Sequence, residues 1–425
     1  MITRTVSRLW QKFCSDSLFR NSLYLMASTG VMGVFGFAFW TICSRLYSPH
    51  DVGLATTLIS ASTLLTIMSL LGFNNVIVRF LAKWQGQQER LLSTAAILSA
   101  LASVITSVGF VAWCLLTNNP IAQAGGTLSV TVIFAAFVLI TTIDALLDSA
   151  FIAHRAAKYV FVKNTVMSVL KVSLPFAAVH FGFIGIVGAF ALAITVTCTS
   201  GILFLRRKYH YRFAPVIDRV AIRKIRSFAF GNYVGNVTGI LPPALLPLIV
   251  ASKLGPQSAA YFYMPMMIAT LLNVIPMATA QSLFAEASHD EERINIHIIS
   301  AVKHLYALLV PAALAILLVG GFILQMFGAD YAVNGTTVVR ILAVSSLIGA
   351  ANYLGDTLLN IKKYVKSYVA MNAVNALTIV TFAYVFAGRG LVAVAWANIA
   401  GQGLTLLIYL AINHRLILGL RHSAV

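Results

Sequence analysis

The segment SRLYSPHDVGLA, residues 44–55, interrupts two long apolar runs. Before it the chain reads YLMASTGVMGVFGFAFWTIC, and after it LATTLISASTLLTIMSLLGF. Proline stops a helix and fixes a turn, and each flanking run has the length of about 20 residues that a helix needs to cross a bilayer. The segment therefore predicts a tight hairpin between two membrane-spanning helices, with Arg45 at the turn.

The composition extends this prediction to the whole chain. Of the 425 residues, 59% are hydrophobic and 10% are charged, whereas about a quarter of the residues in soluble domains are charged. The mean hydropathy is +0.88, an apolar excess that one soluble core cannot contain. Twelve apolar stretches are long enough to span a bilayer, centred near residues 32, 66, 104, 139, 170, 194, 239, 270, 312, 348, 375 and 402. We predict an all-α polytopic membrane protein.

The basic residues indicate the orientation of the chain. The net charge is +18, and with the N-terminus inside, twenty-five of the thirty Lys and Arg residues lie at cytoplasmic ends or loops. Outer turns hold only Arg45, Lys253 and Arg389, and the spans hold Lys171 and Arg340. The positive-inside rule therefore predicts that both termini are cytoplasmic. The basicity is a topology signal, so nucleic acid is not an expected partner.

The two halves of the chain are similar. SRLYSPHDVGLA at residue 44 matches SKLGPQSAAYF at residue 252, and DSAFIAHRAAKYVFVKN from Asp148 matches DTLLNIKKYVKSYVAMN from Asp356, 208 residues later. GIVGAFALAI from residue 185 matches GLVAVAWANI from residue 390. Because each half holds an even number of spans, both copies run in the same direction through the membrane. We predict two parallel six-helix repeats around a central cavity.

Five regions follow from this division. The segment 206–226 has eight Lys or Arg residues and one acid, and it separates the two six-span lobes. In residues 1–21, three basic residues share one helical face and apolar residues the opposite one, as in an interfacial helix; a frayed basic tail is the alternative. The predicted regions are a cytoplasmic amphipathic segment 1–21, an N-lobe 22–205, a basic linker 206–226, a C-lobe 227–413 and a cytoplasmic tail 414–425.

The motifs in this order resemble a known family. RLYSPHDVG and LGFNNVIVRF occur in the first half, then LGPQSAAYFY, FGADYAVNGTTVVRILAVSSLIGAANYLGDTLL and GLVAVAWANIAGQGL in the second. From about residue 20 to 412 the chain resembles the polysaccharide flippases of the multidrug/oligosaccharidyl-lipid/polysaccharide exporter (MOP) superfamily, which includes the MATE transporters. The branch it is most similar to is the O-antigen (Wzx-type) flippases of lipopolysaccharide biosynthesis.

The resemblance implies a function. Members of that branch move undecaprenyl-diphosphate-linked oligosaccharides from the cytoplasmic to the periplasmic leaflet of the bacterial inner membrane. It implies membrane lipids as partners, possible contacts with a polysaccharide polymerase and glycosyltransferases, and a functional monomer. The residues agree with a non-enzyme: there is no Walker loop and no nucleophile motif, and no cysteine or histidine has metal-ligand spacing. We therefore expect no cofactor and no metal.

Charged and polar residues within the spans indicate where a substrate binds, because such residues usually face a protein interior or water. Lys171 lies near the middle of span five, on one helical face with Asn164. Cations at other depths would also contact the diphosphate. The full set of predicted substrate-binding residues is Lys171, Arg340, Arg45, Arg79, Asn74 and Asn164. Interhelical hydrogen bonds are the alternative role for the asparagines, and headgroup anchoring for Arg45 and Arg79.

Three aspartates are candidates for binding a coupling ion. Asp144 and Asp148 lie one turn apart on span four, where like charges favour retention of a proton by one of them. Asp356 is the repeat counterpart of Asp148. Salt bridges to nearby cations are the alternative, from Asp148 to His154/Arg155 and from Asp356 to Lys362/Lys363.

The prolines of span seven raise a further question. Pro242, Pro243 and Pro247 would break this helix and open an ion or substrate site, as in broken transporter helices. Proline is also common in unbroken membrane helices.

Other functions also fit the composition. A proton- or cation-coupled drug exporter and a lipid II flippase share the superfamily. A non-transporting scaffold that recruits polysaccharide enzymes is a third alternative.

Overall fold

A computed structural model of the chain describes residues 17–84, 86–117, 127–214, 216–289, 294–362 and 364–422. These residues form α-helices and short 3₁₀ turns, and twelve helical segments are long and apolar enough to cross a membrane. This confirms the predicted all-α fold with twelve spans. Most of the predicted amphipathic segment 1–21 lies outside the described residues.

The first half contains seven helices in its described part. They are α1 Ser17–Leu46, α2 Pro49–Ser69, α3 Phe73–Phe80, α4 Gln88–Leu116, α5 Thr127–Ala153, α6 Ala157–Ala177 and α7 Phe183–Tyr209. The first six spans lie within these helices, with span four at Thr131–Ala153, span five at Ala157–Ala177 and span six at Phe183–Tyr209.

The second half is built in the same way. Its described helices are α8 Arg219–Leu254, α9 Pro256–Thr270, α10 Val274–His289, α11 Ile294–Phe327, α12 Ala329–Ile361, α13 Val365–Phe386 and α14 Leu391–His422. The eighth span, Pro256–Leu283, includes α9, a 3₁₀ turn and the start of α10.

The opening segment forms the predicted hairpin. Helix α1 ends at Leu46 and α2 begins at Pro49, so only two residues join them. Proline suits the first turn of a helix because the missing N–H is not needed there. The hydroxyl of Tyr47 donates to the carbonyl oxygen of Pro175 in α6 at 2.8 Å, which ties the turn to span five.

The second copy of the hairpin is one residue shorter. Helix α8 ends at Leu254, and α9 begins at Pro256. The residue between them, Gly255, has a φ of 87°, a conformation that glycine adopts without the steric strain other residues meet. Both copies therefore use a proline at the start of the second helix.

Helix α8 is not broken at its prolines. It runs without interruption from Arg219 to Leu254 through Pro242, Pro243 and Pro247. The prediction that these prolines would break span seven is therefore wrong. A membrane helix tolerates proline where neighbouring groups and local adjustments satisfy the freed carbonyl oxygens.

The described chain packs as two units. The first contains the described residues up to Ser48 together with Ala61–Val237, and the second contains Pro49–Ser60 and the residues from Thr238 onward. Both α2 and α8 are thus divided between the units. The lobe boundaries 22–205 and 227–413 describe the repeat, and they stay a prediction.

Helix neighbours recur within the two units. In the first, α4 packs against α5, and α6 against α7; in the second, α11 packs against α12, and α13 against α14. Each pair in the second unit is the counterpart, six spans later, of a pair in the first. This recurrence is the pattern that a duplicated chain is expected to show.

Each unit has its own apolar clusters. In the first, Phe73 and Ile77 of α3 are buried with Leu91 of α4 and Ile225 of α8. In the second, Phe262 of α9 is buried in one cluster with residues of α8, α12, α13 and α14. Large apolar side chains also remain exposed on the spans, as expected for surfaces that face lipid.

One close backbone contact joins α2 to α9 inside the second unit. A Cβ atom added at Gly53 would lie 1.7 Å from the carbonyl oxygen of Pro256. Only glycine lets the start of α2 approach the start of α9 this closely. The two segments that approach are the repeat counterparts that follow the two hairpin turns.

We expect Gly53→Ala to destabilise the protein, because the added methyl group overlaps backbone that cannot rotate away. Overpacking of this kind costs about 1–3 kcal/mol. The measurement is the thermal unfolding temperature of the detergent-purified protein. The matched control is Gly33→Ala in α1, where a Cβ atom would meet nothing within 4 Å. Equal unfolding temperatures for the two variants would contradict the close contact.

Candidate functional site

A buried ion-pair cluster joins α5 to α6. The Lys163 ammonium lies 2.6 Å from Asp144 Oδ2 and 2.9 Å from Asp148 Oδ1, and the lysine side chain is 4% exposed. Asp144 and Asp148 are one turn apart on α5, so a single cation from the neighbouring helix reaches both carboxylates. Lys163 thereby relieves the repulsion between the two acids.

This cluster corrects two sequence interpretations. Asp148 pairs with Lys163, and not with His154 or Arg155 as one alternative proposed. His154 instead stacks on Tyr209, with ring centroids 4.3 Å apart. Lys163 was counted among the cations at cytoplasmic ends, but it is buried inside span five, because the two aspartates compensate its charge there.

The repeat counterpart of the cluster has a different chemistry. At the same offset of 208, Asp148 corresponds to Asp356, whereas Lys163 corresponds to Met371. Asp356 Oδ1 accepts a hydrogen bond from Asn372 Nδ2 at 2.9 Å and another from the hydroxyl of Tyr409. Neutral donors bind this carboxylate, and among the described residues no ion pair joins it to Lys362; Lys363, the other partner expected for it, lies outside the described residues.

Lys171 lies two turns further along α6 than Lys163, and it has different surroundings. Its side chain is buried, at 9% exposure. Its Nζ lies 5.2 Å from the ring centroid of Phe39 in α1 and 5.0 Å from that of Phe190 in α7. Among the described residues no carboxylate forms an ion pair with it. The ammonium therefore lies against aromatic faces and keeps a charge that no carboxylate of the described residues compensates.

The rest of the buried α6 face is polar. Asn164 is buried, and its Nδ2 donates to Ser28 Oγ of α1 at 3.1 Å. Ser168 lies between Asn164 and Lys171, and its buried hydroxyl has no hydrogen-bond partner within the described parts of the chain. Along this face, Lys163 with its two carboxylate partners is followed by Asn164 and Ser168. The face ends at Lys171, which has no carboxylate partner among the described residues.

The other predicted substrate cations are exposed, unlike the buried Lys171. Arg45 is exposed at the end of α1. Arg79 is exposed near the end of α3, with its guanidinium 4.5 Å from the ring centroid of Phe228. In the second unit, Arg340 is exposed, and its Nε donates to the carbonyl oxygen of Leu317 at 3.1 Å.

Asn74 occupies the first turn of α3. Its Oδ1 is buried and has no hydrogen-bond partner among the described residues. For Asn164, in contrast, the hydrogen bond to Ser28 is donated by Nδ2. Of the two predicted asparagines, Asn74 has the free acceptor.

Several polar residues of the second unit form hydrogen bonds between helices. Asn352 of α12 donates to Gln402 of α14 at 2.8 Å, and Asn398 of α14 donates to Ser345 at 3.3 Å. These contacts are the interhelical hydrogen bonds proposed as the alternative to substrate binding. No group of three or more His, Cys, Asp or Glu side chains that could hold a metal ion occurs in the described ranges.

Sequence reasoning missed Lys163, Phe39, Phe190 and Tyr409. For Lys163 a signal was available, because it lies eight residues before Lys171 and so shares its helical face. For the aromatic residues there was none, since Phe39 and Phe190 come from helices that are far apart in the sequence. Their contact with Lys171 depends on packing that periodicity does not show.

We expect Lys163→Met to destabilise the protein strongly, because it leaves two buried carboxylates without a cation. Breaking a buried ion pair in this way costs about 3–5 kcal/mol. The double variant Lys163→Met/Asp144→Asn introduces the residue types found at the counterpart positions Met371 and Asn352. Part of the lost stability should return in it, because one of the two orphaned carboxylates is removed.

The measurement is again the unfolding temperature and the amount of protein in the membrane. Lys171→Met is the matched control, because it also removes a buried lysine but orphans no carboxylate. A double variant as unstable as Lys163→Met would show that the ion pairs are not the source of the stabilisation.

Comparison with known proteins gives a family and a fold. The family model described as "Polysaccharide biosynthesis protein" matches residues 18–285. Among curated protein sequences, none matches the chain.

Solved structures with the same architecture include three transporters. The lipid II flippase MurJ in an inward closed conformation superposes with a TM-score of 0.71 at 13% identity, over 91% of this chain and 86% of that one. An inward-facing MATE family multidrug resistance transporter of the MOP superfamily gives 0.65 at 15% identity, over 95% and 96%. A MOP superfamily transporter from Pyrococcus furiosus, described as having a binding pocket of reversed polarity, gives 0.64 at 15% identity, over 95% and 96%. At these identities the likeness establishes the MOP fold.

Proposed function

The chain belongs to the family of polysaccharide biosynthesis proteins, and from this premise we propose that it is a flippase for a polyprenyl-diphosphate-linked oligosaccharide. The substrate would be an O-antigen unit or a similar polysaccharide repeat unit on undecaprenyl diphosphate. It would move from the cytoplasmic to the periplasmic leaflet by alternating access. We place the protein in the bacterial inner membrane, working as a monomer beside the glycosyltransferases and polymerase of polysaccharide assembly.

The physical problem that such a protein solves is the polar head of the substrate. A sugar chain and a diphosphate would otherwise have to cross about 30 Å of hydrocarbon, where unpaired polar and charged groups are unfavourable. A multi-pass protein with polar groups on buried helix faces can contact the head while the polyprenyl tail stays in the lipid. No covalent bond changes, so this function needs no catalytic group.

Lys171 carries the proposal. It is a buried cation in a membrane-spanning helix, and within the described chain it lacks an ion-pair partner. A diphosphate supplies the missing negative charge and accepts charge-assisted hydrogen bonds. Lys163, the other buried lysine of the same helix, already has two carboxylates and so is not available for an anion.

The remaining predicted residues have supporting roles in this proposal. Arg79, Arg340 and Arg45 are cations that a diphosphate would meet before and after Lys171. Asn74, with its free Oδ1, and Asn164 would hydrogen-bond to the head group. In this assignment the diphosphate moves from one cation to the next. No single cation should therefore bind it so tightly that it is not released.

Transport against a gradient needs a coupling ion, and Asp144, Asp148 and Asp356 remain the candidates. Asp144 and Asp148 already pair with Lys163, whereas the donors to Asp356 within the described ranges are the neutral side chains of Asn372 and Tyr409. We therefore favour Asp356 among the three. An incoming cation there would meet a carboxylate that has no ion-pair partner among the described residues.

The alternative functions make different use of Lys171. A drug exporter for organic cations needs free acids, but the acids of span four are paired with a lysine. A lipid II flippase would also carry a diphosphate, so Lys171 does not separate it from an O-antigen flippase. A scaffold that does not transport would have no use for an uncompensated buried lysine.

We expect Lys171→Met to abolish transport while leaving the protein folded. Surface polysaccharide should fall about tenfold or more, because charge-assisted hydrogen bonds contribute about 1.5–3 kcal/mol. The measurement is complementation of a strain that lacks its own O-antigen flippase, with the amount of membrane protein measured in parallel. Lys171→Arg should retain more activity than Lys171→Gln.

The matched control is Lys253→Met. Lys253 also lies over an aromatic ring, at 4.2 Å from Tyr384, but it is exposed. It should complement fully. Full complementation by Lys171→Met at a normal protein level would exclude the diphosphate role. Rescue of a strain lacking its lipid II flippase, without rescue of the O-antigen strain, would assign the substrate to lipid II instead.

The orientation is also a proposal, with both termini in the cytoplasm. In a variant lacking native cysteines, single cysteines at Asp330 and Arg389 should react with an impermeant thiol reagent added to intact cells. A cysteine at Arg155 should not. All three positions are exposed, so whether the reagent labels each cysteine depends on the side of the membrane on which that residue lies. Labelling of Arg155→Cys from outside would reverse the orientation.

A further inference from the structure

A pocket of about 440 Å³ lies where the sixth span leaves the membrane. It is lined by Arg206, His210, Tyr211, Arg212 and Phe213. The apolar helix of this span ends at Tyr209, and we place the pocket at the depth of the lipid headgroups because it follows that end. It is within the first unit, in the basic linker, and the proposed transport function does not use it.

The base of the pocket is fixed by hydrogen bonds. The buried Tyr211 donates its hydroxyl proton to Gln88 Oε1 at 3.3 Å, so its oxygen can only accept from His154 Nε2 at 3.1 Å. His154 also stacks on Tyr209. Burial lowers the pKa of His154, which favours the neutral imidazole with its proton on Nε2.

The linker around the pocket is tied to the first turns of α4. Three backbone N–H groups of the linker donate to side chains of that helix at 3.0–3.1 Å: Arg212 to Glu89, Ala214 to Ser93 and Asp218 to Thr94. The walls of the pocket are therefore formed in advance of any ligand.

Two cations of the pocket are uncompensated. Arg206 and Arg212 are exposed, and neither guanidinium forms an ion pair with a carboxylate of the described residues. Lys208, in contrast, donates to the hydroxyl of Tyr159 at 2.5 Å. The C-terminal end of α7 contributes only a partial negative charge. A planar guanidinium binds phosphate oxygens in pairs, so two free arginines suit a phosphate group.

Exposed apolar side chains of the same linker point to a lipid. Phe213 is 56% exposed, and Val216, Ile217 and Val220 are exposed as well. A polar loop that met only water would have no reason to present four such side chains. Basic residues beside apolar ones are typical of surfaces that lie in the membrane interface.

We propose that this pocket binds the phosphate of an anionic phospholipid headgroup, with Arg206 and Arg212 as the phosphate ligands. The exposed apolar side chains of the linker lie against the acyl chains of that leaflet. The proposed orientation makes it the cytoplasmic leaflet. The lipid would hold the linker that joins the two halves at a constant depth in the membrane.

The test uses the full-length protein in nanodiscs of phosphatidylcholine, with or without a minor fraction of phosphatidylglycerol. Lipid retention is measured by native mass spectrometry, and protection of residues 206–218 by hydrogen exchange. We expect retained phosphatidylglycerol and slower exchange of these amides when it is present. Arg206→Gln/Arg212→Gln should weaken retention about twentyfold or more, from about fivefold for each cation near an anionic surface.

The matched control is Arg207→Gln/Arg223→Gln, which removes two exposed cations of the same region that do not line the pocket. It should retain the lipid as the unsubstituted protein does. Arg206→Lys/Arg212→Lys keeps the charge and should retain more lipid than the glutamine variant. An unchanged unfolding temperature in phosphatidylcholine shows that the variants are folded.

Two results would overturn the proposal. One is equal loss of phosphatidylglycerol in the pocket variant and the control variant, which would mean general surface attraction. The other is protection of the linker by undecaprenyl diphosphate or inorganic phosphate but not by phosphatidylglycerol. The pocket would then bind the phosphate of the transport substrate or a free phosphate. Neither result affects the transport assays of Lys171, so the two proposals can fail separately.

Discussion

The ion pairs of Lys163 with Asp144 and Asp148 set the constraint for the first half of the molecule. A charge in the hydrocarbon region costs about 2.5–3.5 kcal/mol even on insertion scales, so it stays where a partner or water compensates it. Here one lysine and two acids on adjacent helices compensate one another at 2.6 and 2.9 Å. This contact ties α6 to α5, in addition to the packing of α6 against α1 and α7. It lies on the same polar face of α6 that ends at Lys171.

The second half of the chain shows what happens when that constraint is absent. At the offset of 208 residues, Asp144, Lys163 and Lys171 correspond to Asn352, Met371 and Ile379. Ile379 is 1% exposed and belongs to an apolar cluster with Val394 and Ala395. Both buried lysines of the repeated helix are thus confined to its first copy. The two copies thus share the helix but not its buried positive charges.

The parts of the structure that the sequence could predict are those that depend on local pattern. The twelve spans follow from apolar length, and the two hairpins follow from proline after a short polar segment. The burial of Lys171 follows from its position in the middle of a span. Lys163 was misplaced because counting cations near the ends of spans assumes that such cations reach water. Its true partners lie on another helix, and only the packing of α5 against α6 brings them within 3 Å. The continuity of α8 through three prolines is likewise decided by its surroundings.

The two lysines of α6 differ in how readily each could exchange its partner for a substrate. Lys163 would have to leave two carboxylates in a medium where their unpaired charge is expensive. Lys171 would have to leave two phenyl rings, and a cation–π contact contributes only about 0.5–2 kcal/mol. In the proposed function, an arriving diphosphate would therefore replace or supplement the rings at little cost, and the rings would contact the ammonium again when the diphosphate departs. A transporter needs both steps, because an anion held as firmly as Asp144 and Asp148 hold Lys163 would not be released. The aromatic surroundings of Lys171 keep a charge available inside the membrane without neutralising it.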